Sequence, residues 1–403
     1  MAAVDHFPEL LLSLQRREHE MWRLTREWVE VNSFTENIAG VNRVGELLKD
    51  AFAFPSVELE VKKSDRVGNH LVWRTQAARQ EGVSPIVLVG HHDTVFPPGH
   101  FEGWCEEGGR AFGPGALDMK GGLAIVRTVL SVLDEANLLA DLPVLVISVA
   151  DEEIGSPDSA PVLREVAKGA QCALVFESGR AGDLIVTRRR GTGLIRACAT
   201  GRAAHAGNAH EEGRNAIWAV AKLIDAVQPL TDYGRGVTVN VGVVRGGTSK
   251  NTVPESASCE IDLRFNSTDD AKALVDAIHL AAQRAEQGVS GTRIRLEGGI
   301  TRPPLEKTKE QAALFSEYAA CQRAATLGDG EAPLVGGGSD ANTVAAIGVP
   351  AIDGLGPRGA GFHTTTEYVE LASFLPKAEA LLRFLAGRLR FQWNVVGGRE
   401  IQA

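Results

Sequence analysis

Apolar residues recur at helical spacing in two segments near the N-terminus, and each segment predicts one amphipathic helix. The first segment carries Leu14, Met21, Leu24, Trp28 and Val31, and the second carries Ile38, Val41, Val44 and Leu48. Charged residues separate the apolar positions of the first segment. This arrangement predicts helices that pack one face against a core.

Three nearly uninterrupted apolar runs, at 86–89, 144–149 and 173–176, predict strands. Because such strands have no polar face, we expect a sheet covered by helices on both sides. Alternating apolar residues from 57 to 61 predict one more strand, and residues 121–139 predict a helix. The pattern indicates an α/β domain with a mixed, mostly parallel sheet flanked by helices.

The pattern changes at about residue 191, where apolar and polar residues begin to alternate. Strands are predicted at 194–199, 237–243 and 257–265, and helices at 215–227 and 269–286. Short alternating strands with two helices are typical of a small α+β domain. After Arg302 the earlier pattern returns, and it ends in a helix predicted at 372–389.

The length of 403 residues exceeds what one hydrophobic core usually supports, which agrees with two domains. We predict a catalytic domain formed by residues 1–190 and 302–403, interrupted by a smaller dimerisation or lid domain at 191–301. Hinges near Gly191 and Arg302 would close the domains over a substrate.

Charge and composition exclude several classes of protein. The net charge of −9 disfavours binding to nucleic acid, and no apolar run is long enough to span a membrane. The start of the chain does not resemble a signal peptide, so we expect a cytoplasmic location. Five scattered cysteines without a CxxC spacing favour buried thiols over disulfides or a thiolate zinc site. The basic run 188–190 is either a solvated strand end or an anion contact near a site.

Acids and histidines follow the buried strands, at the edge where open α/β sheets bind ligands. His91 and Asp93 follow the first run, Glu152 and Glu153 follow the second, and Glu177 follows the third. Each has an ordinary explanation, since His-x-Asp is frequent by chance and acidic turns are usually solvated. Their shared position favours a metal site instead, with Asp93 holding the histidine.

Two further candidates come from loops. Asp118 lies in a glycine-rich turn that enters a helix, where an Asp can also serve as a helix cap. His363 follows a glycine-rich segment late in the chain. Together with His91, Glu153 and Glu177, these residues form a set of nitrogen and oxygen ligands that suits two zinc ions or similar divalent metals.

Six motifs in order make the chain resemble the zinc-dependent aminoacylase/carboxypeptidase family, which includes glutamate carboxypeptidase, acetylornithine deacetylase and succinyl-diaminopimelate desuccinylase. The motifs are Gly90-His91-His92-Asp93-Thr94, Asp118-Met119-Lys120-Gly121-Gly122, Asp151-Glu152-Glu153-Ile154-Gly155, Gly201-Arg202-Ala203-Ala204-His205-Ala206, the segment 246–254 and Gly361-Phe362-His363. Within that family, the motifs most resemble those of glutamate carboxypeptidase.

The resemblance implies a role for each residue of the site. Asp118 would bridge two zinc ions, for which Co²⁺ or Mn²⁺ can substitute. One ion would also be held by His91 and Glu177, and the other by Glu153 and His363. Glu152 would be the general base, Asp93 would support it in catalysis, and the peptide bond after Asp118 would be cis.

The resemblance also implies a homodimer formed through the inserted domain, in which His205 reaches the partner's active site. A lone histidine is more often an ordinary surface residue, and it is the whole motif that favours this role. Asn251, Arg264 and Arg302 would contact substrate, since arginine can grip a carboxylate with two hydrogen bonds. Backbone groups near Gly338 would add donors.

The sequence is compatible with more than one function. The Glu177 and Arg302 pattern favours a glutamate-carboxypeptidase-like enzyme that releases an amino acid from an N-acyl amino acid or short peptide. An N-acyl-amino-acid deacylase would use the same chemistry. A non-catalytic amino-acid or peptide binding protein would retain the fold without turnover, and a dinucleotide oxidoreductase lacks its glycine fingerprint here.

Overall fold

A computed structural model describes residues 7–396, with side chains through Leu389. The helices are α1 Phe7–Gln15, α2 Glu18–Val29, α3 Ile38–Ala51, α4 Gly121–Glu135, α5 Ser159–Val166, α6 Ala216–Val227, α7 Thr268–Gly288, α8 Lys309–Ala324, α9 Asp340–Ala345 and α10 Phe374–Val396. The strands are β1 Val57–Lys62, β2 His70–Thr75, β3 Ile86–His91, β4 Cys105–Glu107, β5 Arg110–Phe112, β6 Val144–Val149, β7 Cys172–Val175, β8 Gly191–Thr200, β9 Ala204–His205, β10 Thr238–Gly246, β11 Thr252–Val253, β12 Ser256–Phe265, β13 Arg293–Arg302, β14 Ala351–Ile352, β15 Gly359–Ala360 and β16 Tyr368–Glu370.

The chain divides into two compact units. The first unit comprises 1–187, 307–333 and 339–403, and the second comprises 188–306 and 334–338. The second unit is therefore an insertion in the first, and its main boundaries lie within a few residues of 190/191 and 301/302. The short segment 334–338, which belongs to the second unit, has no counterpart in the sequence-based division.

A six-stranded sheet organises the first unit, in the order β1-β2-β6-β3-β7-β14. Strands β6, β3, β7 and β14 are parallel, while β1 and β2 are antiparallel to their neighbours. Every residue of β3, β6 and β7 is buried, as their apolar sequences require when helices cover both faces. The predicted mixed, mostly parallel sheet with flanking helices is confirmed.

The N-terminal segment differs from its prediction, because two helices replace one. Helix α1 ends at Gln15 and α2 begins at Glu18, although the apolar spacing continues across the break. Arg17, at the break, forms ion pairs with Glu20 and Glu135. The break therefore contains no glycine or proline, and it is accompanied by an ion pair between Arg17 and α4. Val31 lies beyond the end of α2.

The second unit is an antiparallel sheet in the order β10-β12-β8-β13 with helices α6 and α7 packed against it. Buried and exposed residues alternate along β8 and β12, so one sheet face meets the helices and the other remains polar. The buried face includes Ile195, Ile261 and Leu263, which pack with residues of both helices in a separate core.

Strands β2 and β13 and the small sheet β15-β16-β5-β4 were not predicted. Strand β13 contains Gly298 and Gly299 and has exposed or half-exposed residues at most positions, so its apolar alternation is weak. It forms because β8 offers a free edge for ten residues of the chain to pair with. Whether such a segment forms a strand depends on a pairing partner that is distant in sequence.

The basic run 188–190 is only in part a solvated strand end. Arg188 is exposed, whereas Arg189 is buried and its Nη1 donates to the carbonyl of Gly337. Arg190 donates through Nε to Asn266 Oδ1 and through Nη2 to the carbonyl of Gly236. Two of the three arginines therefore join segments of the second unit.

None of the helices within residues 7–396 combines the length and the apolar character that crossing a bilayer requires.

Glycine at position 122 is predicted to be needed for packing. A Cβ there would lie 2.2 Å from the carbonyl oxygen of Phe176. Gly122→Ala should therefore destabilise the protein by about 1–3 kcal/mol, as overpacked cores do. Urea unfolding followed by tryptophan fluorescence measures the change.

The matched control is Gly387→Ala, which changes another helical glycine. A Cβ on Gly387 would meet no atom of a neighbouring segment within 4 Å. Alanine there should stabilise helix α10 by about 0.5–1 kcal/mol. Equal effects of the two substitutions would contradict the packing argument.

Candidate metal centre

Three parallel strands deliver side chains to one edge of the main sheet. His91 is the last residue of β3, Glu152 and Glu153 begin a short 3-10 turn soon after β6, and Glu177 lies two residues beyond β7. Because these strands are parallel neighbours, their carboxyl ends lie side by side. This is the edge at which open α/β sheets bind ligands.

Two loops complete the group. Asp118 lies in the turn that leads into α4, and the peptide bond between Asp118 and Met119 is cis, as the resemblance implied. His363 follows β15 in a left-handed backbone conformation, with φ of 62°. Neither residue stands at the end of a strand of the main sheet, so chain folding, not strand order, brings them to this edge.

Asp118 lies between the two histidines. Its Oδ1 is 3.3 Å from His91 Nε2, and its Oδ2 is 3.5 Å from His363 Nε2. His91 Nε2 is also 3.7 Å from Glu177 Oε1, and His363 Nε2 is 3.0 Å from Glu153 Oε2. Two ligands bound to one tetrahedral zinc at about 2.0–2.1 Å lie about 3.3 Å apart. The observed separations fit that spacing on both sides of Asp118.

Glu152 lies in the same cluster. One group of possible ligand atoms, all within 4.8 Å of one another, comes from Glu152, His91 and Glu177. A second such group comes from His91, Asp118 and Glu153. Nitrogen and oxygen donors without thiolates suit Zn²⁺ and other first-row divalent ions. The donor set present therefore fits a divalent metal site.

The titration of the acids shows how strongly this cluster favours positive charge. Burial, followed by repulsion from Asp118, raises the pKa of Glu153 to about 8 and the pKa of Glu177 well above its ordinary value. Hydrogen bonds from His363 and His91 outweigh the effect of burial on Asp118 and lower its pKa. Ionisation of all three carboxylates together is therefore costly unless positive charge lies between them.

The pKa values of the two histidines show that the cluster also favours positive charge on the imidazoles. Hydrogen bonds to Asp118 and Glu153 raise the pKa of His363 to about 10. Burial alone would lower the pKa of His91, but hydrogen bonds to Asp118 and Asp93 outweigh it and raise the pKa well above its ordinary value. Both shifts favour the protonated, positively charged imidazole beside the carboxylates.

Asp93 connects the first histidine to the acidic turn. Its Oδ1 is 3.3 Å from His91 Nδ1 and accepts the Glu152 N–H at 3.2 Å, while its Oδ2 accepts the Glu153 N–H at 3.2 Å. Thr35 donates its hydroxyl to Oδ2 at 2.8 Å. A single buried carboxylate thus orients a candidate ligand and the backbone of two neighbouring acids.

Sequence reasoning missed Thr35, Lys120 and Glu367 as residues next to the site. All three are buried, and Glu367 accepts backbone N–H groups of the Asp118 turn. Burial lowers the pKa of Lys120 to about 7. Lys120 stood inside a motif and Glu367 stood four residues after His363, but nothing local indicated which of the chain's many charged residues would be buried.

His205 and Asn251 belong to the second unit, where strands β9 and β11 bring them together. The N–H of Ala206 donates to the carbonyl of Asn251 at 2.9 Å. His205 is exposed, and its Nδ1 accepts the N–H groups of Gly207 and Asn208. This leaves the proton of a neutral imidazole on Nε2, where it can be donated to another group.

The other predicted substrate contacts also lie in the second unit. Arg264 donates from Nε and Nη2 to the two carboxylate oxygens of Asp262, at 3.0 and 3.1 Å. Arg302 is buried, and its Cδ would lie 2.6 Å from a Cβ on Gly338. Glycine at 338 therefore leaves room for the arginine side chain to pass.

Sequence comparisons identify a family and relatives of this chain. A family model described as peptidase family M20/M25/M40 matches residues 87–387. Carboxypeptidase G2 from Pseudomonas sp. (strain RS-16) is 28% identical over 380 residues, which are 92% of this chain and 87% of that protein. Succinyl-diaminopimelate desuccinylase from Bordetella petrii is 27% identical over 333 residues, 77% of this chain and 85% of that protein.

Solved structures share the fold. The aminopeptidase PepT from Bacillus cereus superposes with a TM-score of 0.74 at 24% identity, over 92% of this chain and 98% of its own. The matched family model covers most of the chain, including His91, Asp118, Glu153 and Glu177 on their strand ends and turn. The chain therefore belongs to peptidase family M20/M25/M40 and is a hydrolytic enzyme.

Proposed function

We propose that this chain is a two-zinc hydrolase that cleaves the amide bond next to an amino acid carrying a free carboxylate. The observation that supports it most directly is Asp118, whose two carboxylate oxygens face different histidines. Each histidine also lies beside a further acid, Glu177 or Glu153. One carboxylate shared between two sets of ligands is what a pair of neighbouring metal ions requires.

His91 and Glu177 would hold one ion, Glu153 and His363 the other, and Asp118 both. Bound zinc would polarise the scissile carbonyl and make water acidic enough to attack it near neutral pH. The donor set admits Co²⁺ or Mn²⁺ as substitutes, because affinity order alone does not decide occupancy. Asp93 would keep the His91 ring oriented through its Nδ1.

Glu152 is the proposed general base. Its carboxylate lies in the cluster but is left over once Glu177 and Glu153 are assigned to metal. It would accept the proton of the attacking water and then give a proton to the leaving amine. Asp93 supports this role, because it holds the N–H of Glu152 and so fixes the backbone from which the base extends.

His205 is the proposed donor to the oxyanion that develops on the substrate carbonyl. The hydrogen bonds that Nδ1 accepts orient the ring and leave Nε2–H as the donor. We propose that His205 acts in the partner's active site, as the family resemblance implies. The second unit would then be both a dimerisation domain and a lid.

A homodimer through the second unit is supported by its exposed apolar side chains. They are Leu194, Ile217, Trp218, Tyr233, Val244, Leu280 and Ile300. Where such side chains form one contiguous patch, they mark an association surface. A cytoplasmic location is part of the proposal, and it is supported by five free cysteines, which favour a reducing compartment.

For the substrate we propose an N-acyl amino acid or short peptide from which a C-terminal amino acid, such as glutamate, is released. Carboxypeptidase G2 is the relative that supports this choice, and buried Arg302 can grip a carboxylate. Asn251, Arg264 and the backbone near Gly338 would add contacts. The desuccinylase relative supports a second candidate, an N-acyl-amino-acid deacylase selected by its acyl group.

A substrate panel tests the proposal. We expect zinc-loaded protein to hydrolyse N-acyl and peptidyl glutamates, and mass spectrometry to identify the amino acid released. Varying the amino acid at a constant acyl group should change kcat/KM more than varying the acyl group does. The reverse order would favour the deacylase, and binding without hydrolysis of any member would favour a binding protein.

Glu152→Gln tests the general base. The amide retains the size of the side chain but cannot accept the proton, so kcat should fall by about 10²–10⁴-fold. The metal content of the variant should remain that of the wild type. Glu165→Gln is the control, since that side chain is largely exposed and pairs with Lys62, and its kcat should be unchanged.

Metal binding should release protons. The pKa of Glu153 is raised to about 8 and that of His363 to about 10, so both carry protons near neutral pH that a metal must displace. Zinc affinity should therefore rise as the pH rises from about 6 to about 8. Calorimetry in two buffers of different ionisation enthalpy counts the protons released, and a count of zero would contradict the proposed ligands.

A further inference from the structure

The carboxylate of Glu367 is buried against the turn that carries Asp118. Its Oε1 accepts the N–H groups of Leu117 and Asp118 at 2.9 and 3.1 Å, and its Oε2 accepts the N–H of Gly115 at 3.3 Å. The Glu367 carbonyl also accepts the N–H of Gly113 at 3.4 Å. One residue therefore holds four backbone N–H groups of a six-residue turn.

Strand register explains how Glu367 reaches this turn. Tyr368 pairs with Phe112 in the antiparallel ladder of β16 and β5, so Glu367 falls opposite Gly113, where β5 ends and the turn begins. The turn also packs closely against Thr94, because a Cβ on Gly115 would lie 2.5 Å from its Cγ2. The small sheet thus delivers an acid to this turn.

Glu367 also belongs to the segment that carries His363. The N–H of Glu367 donates to the carbonyl of Thr364, and the N–H of Thr364 donates to the carbonyl of Gly361, so the intervening chain is a tight turn. The backbone of this segment places His363 3.5 Å from Asp118, while the Glu367 side chain holds the backbone of Asp118 itself. One segment therefore sets both partners of that contact.

We propose that Glu367 is a positioning residue for the two-metal site, one that sets the placement of Asp118 relative to His363. A buried carboxyl group is costly unless it is hydrogen-bonded, and three N–H donors offset part of that cost. An amide could accept at one end only, and its NH₂ group would face an N–H. The inference rests on the proposed two-metal function but concerns metal binding before any substrate is present.

Cobalt binding to the full-length protein tests this role. Glu367→Gln should bind Co²⁺ about 10–100-fold more weakly at one or both sites, as loss of a group that orients metal ligands does. The visible absorption of bound Co²⁺ should shift, because the spectrum reports ligand geometry. In the zinc enzyme, kcat should fall by a similar factor while KM changes little.

Glu370→Gln is the matched control. Glu370 lies three residues further along the same segment, where it accepts a hydrogen bond from Arg358 Nε at 2.9 Å. This variant should retain the wild-type Co²⁺ affinity and spectrum. If Glu367→Gln behaves like the control in affinity, spectrum and kcat, the proposed role is wrong.

Glu367→Asp provides a second test if the glutamine variant does not fold. Aspartate keeps a carboxyl group but ends one methylene short of the N–H groups, so it should give a shifted spectrum and weaker binding. A folded aspartate variant with wild-type affinity and spectrum would overturn the inference. Wild-type protein that binds Co²⁺ but hydrolyses no amide would count against the proposed substrate alone, whereas failure to bind metal would count against both.

Discussion

Three carboxylates held a few ångströms apart and away from water repel one another strongly unless positive charge lies between them. Asp118, Glu153 and Glu177 are in this situation, and the raised pKa values of Glu153 and Glu177 express its cost. His91 and His363 relieve part of it as cations. A divalent metal would relieve more, so the electrostatics of the cluster and its proposed function have the same origin.

Two further buried acids hold the backbone around this cluster. Asp93 accepts the N–H groups of Glu152 and Glu153, and Glu367 accepts those of the Asp118 turn. Each of these buried acids therefore orients its neighbours through peptide N–H donors, which cannot rotate as side chains do.

The sheets of the two units differ in how their faces are covered. The first unit buries its central strands on both faces and presents the acids and histidines at one sheet edge. The second unit covers one sheet face with two helices and leaves the other polar, and it carries His205, Asn251, Arg264 and Arg302. Under the proposed function, the first unit would carry the chemistry and the second unit would carry contacts to substrate.

The sequence by itself determined the fold class and the residue types available for a site, because apolar runs such as 86–89 and 144–149 are a local signature of buried strands. Periodicity carries no information about loops, so Asp118 and His363 were proposed from their residue types and glycine-rich surroundings, and their separate roles came only from the resemblance of their motifs. The break between α1 and α2 and the pairing of β13 were missed, because each involves a partner distant in sequence. Only the tertiary structure decided which acids are buried and which imidazoles contact Asp118. It also decided that Glu367 accepts hydrogen bonds from the Asp118 turn. The physical reason is that apolar periodicity is a local property of the chain, whereas desolvation and hydrogen bonding of a charged group depend on every segment that packs around it.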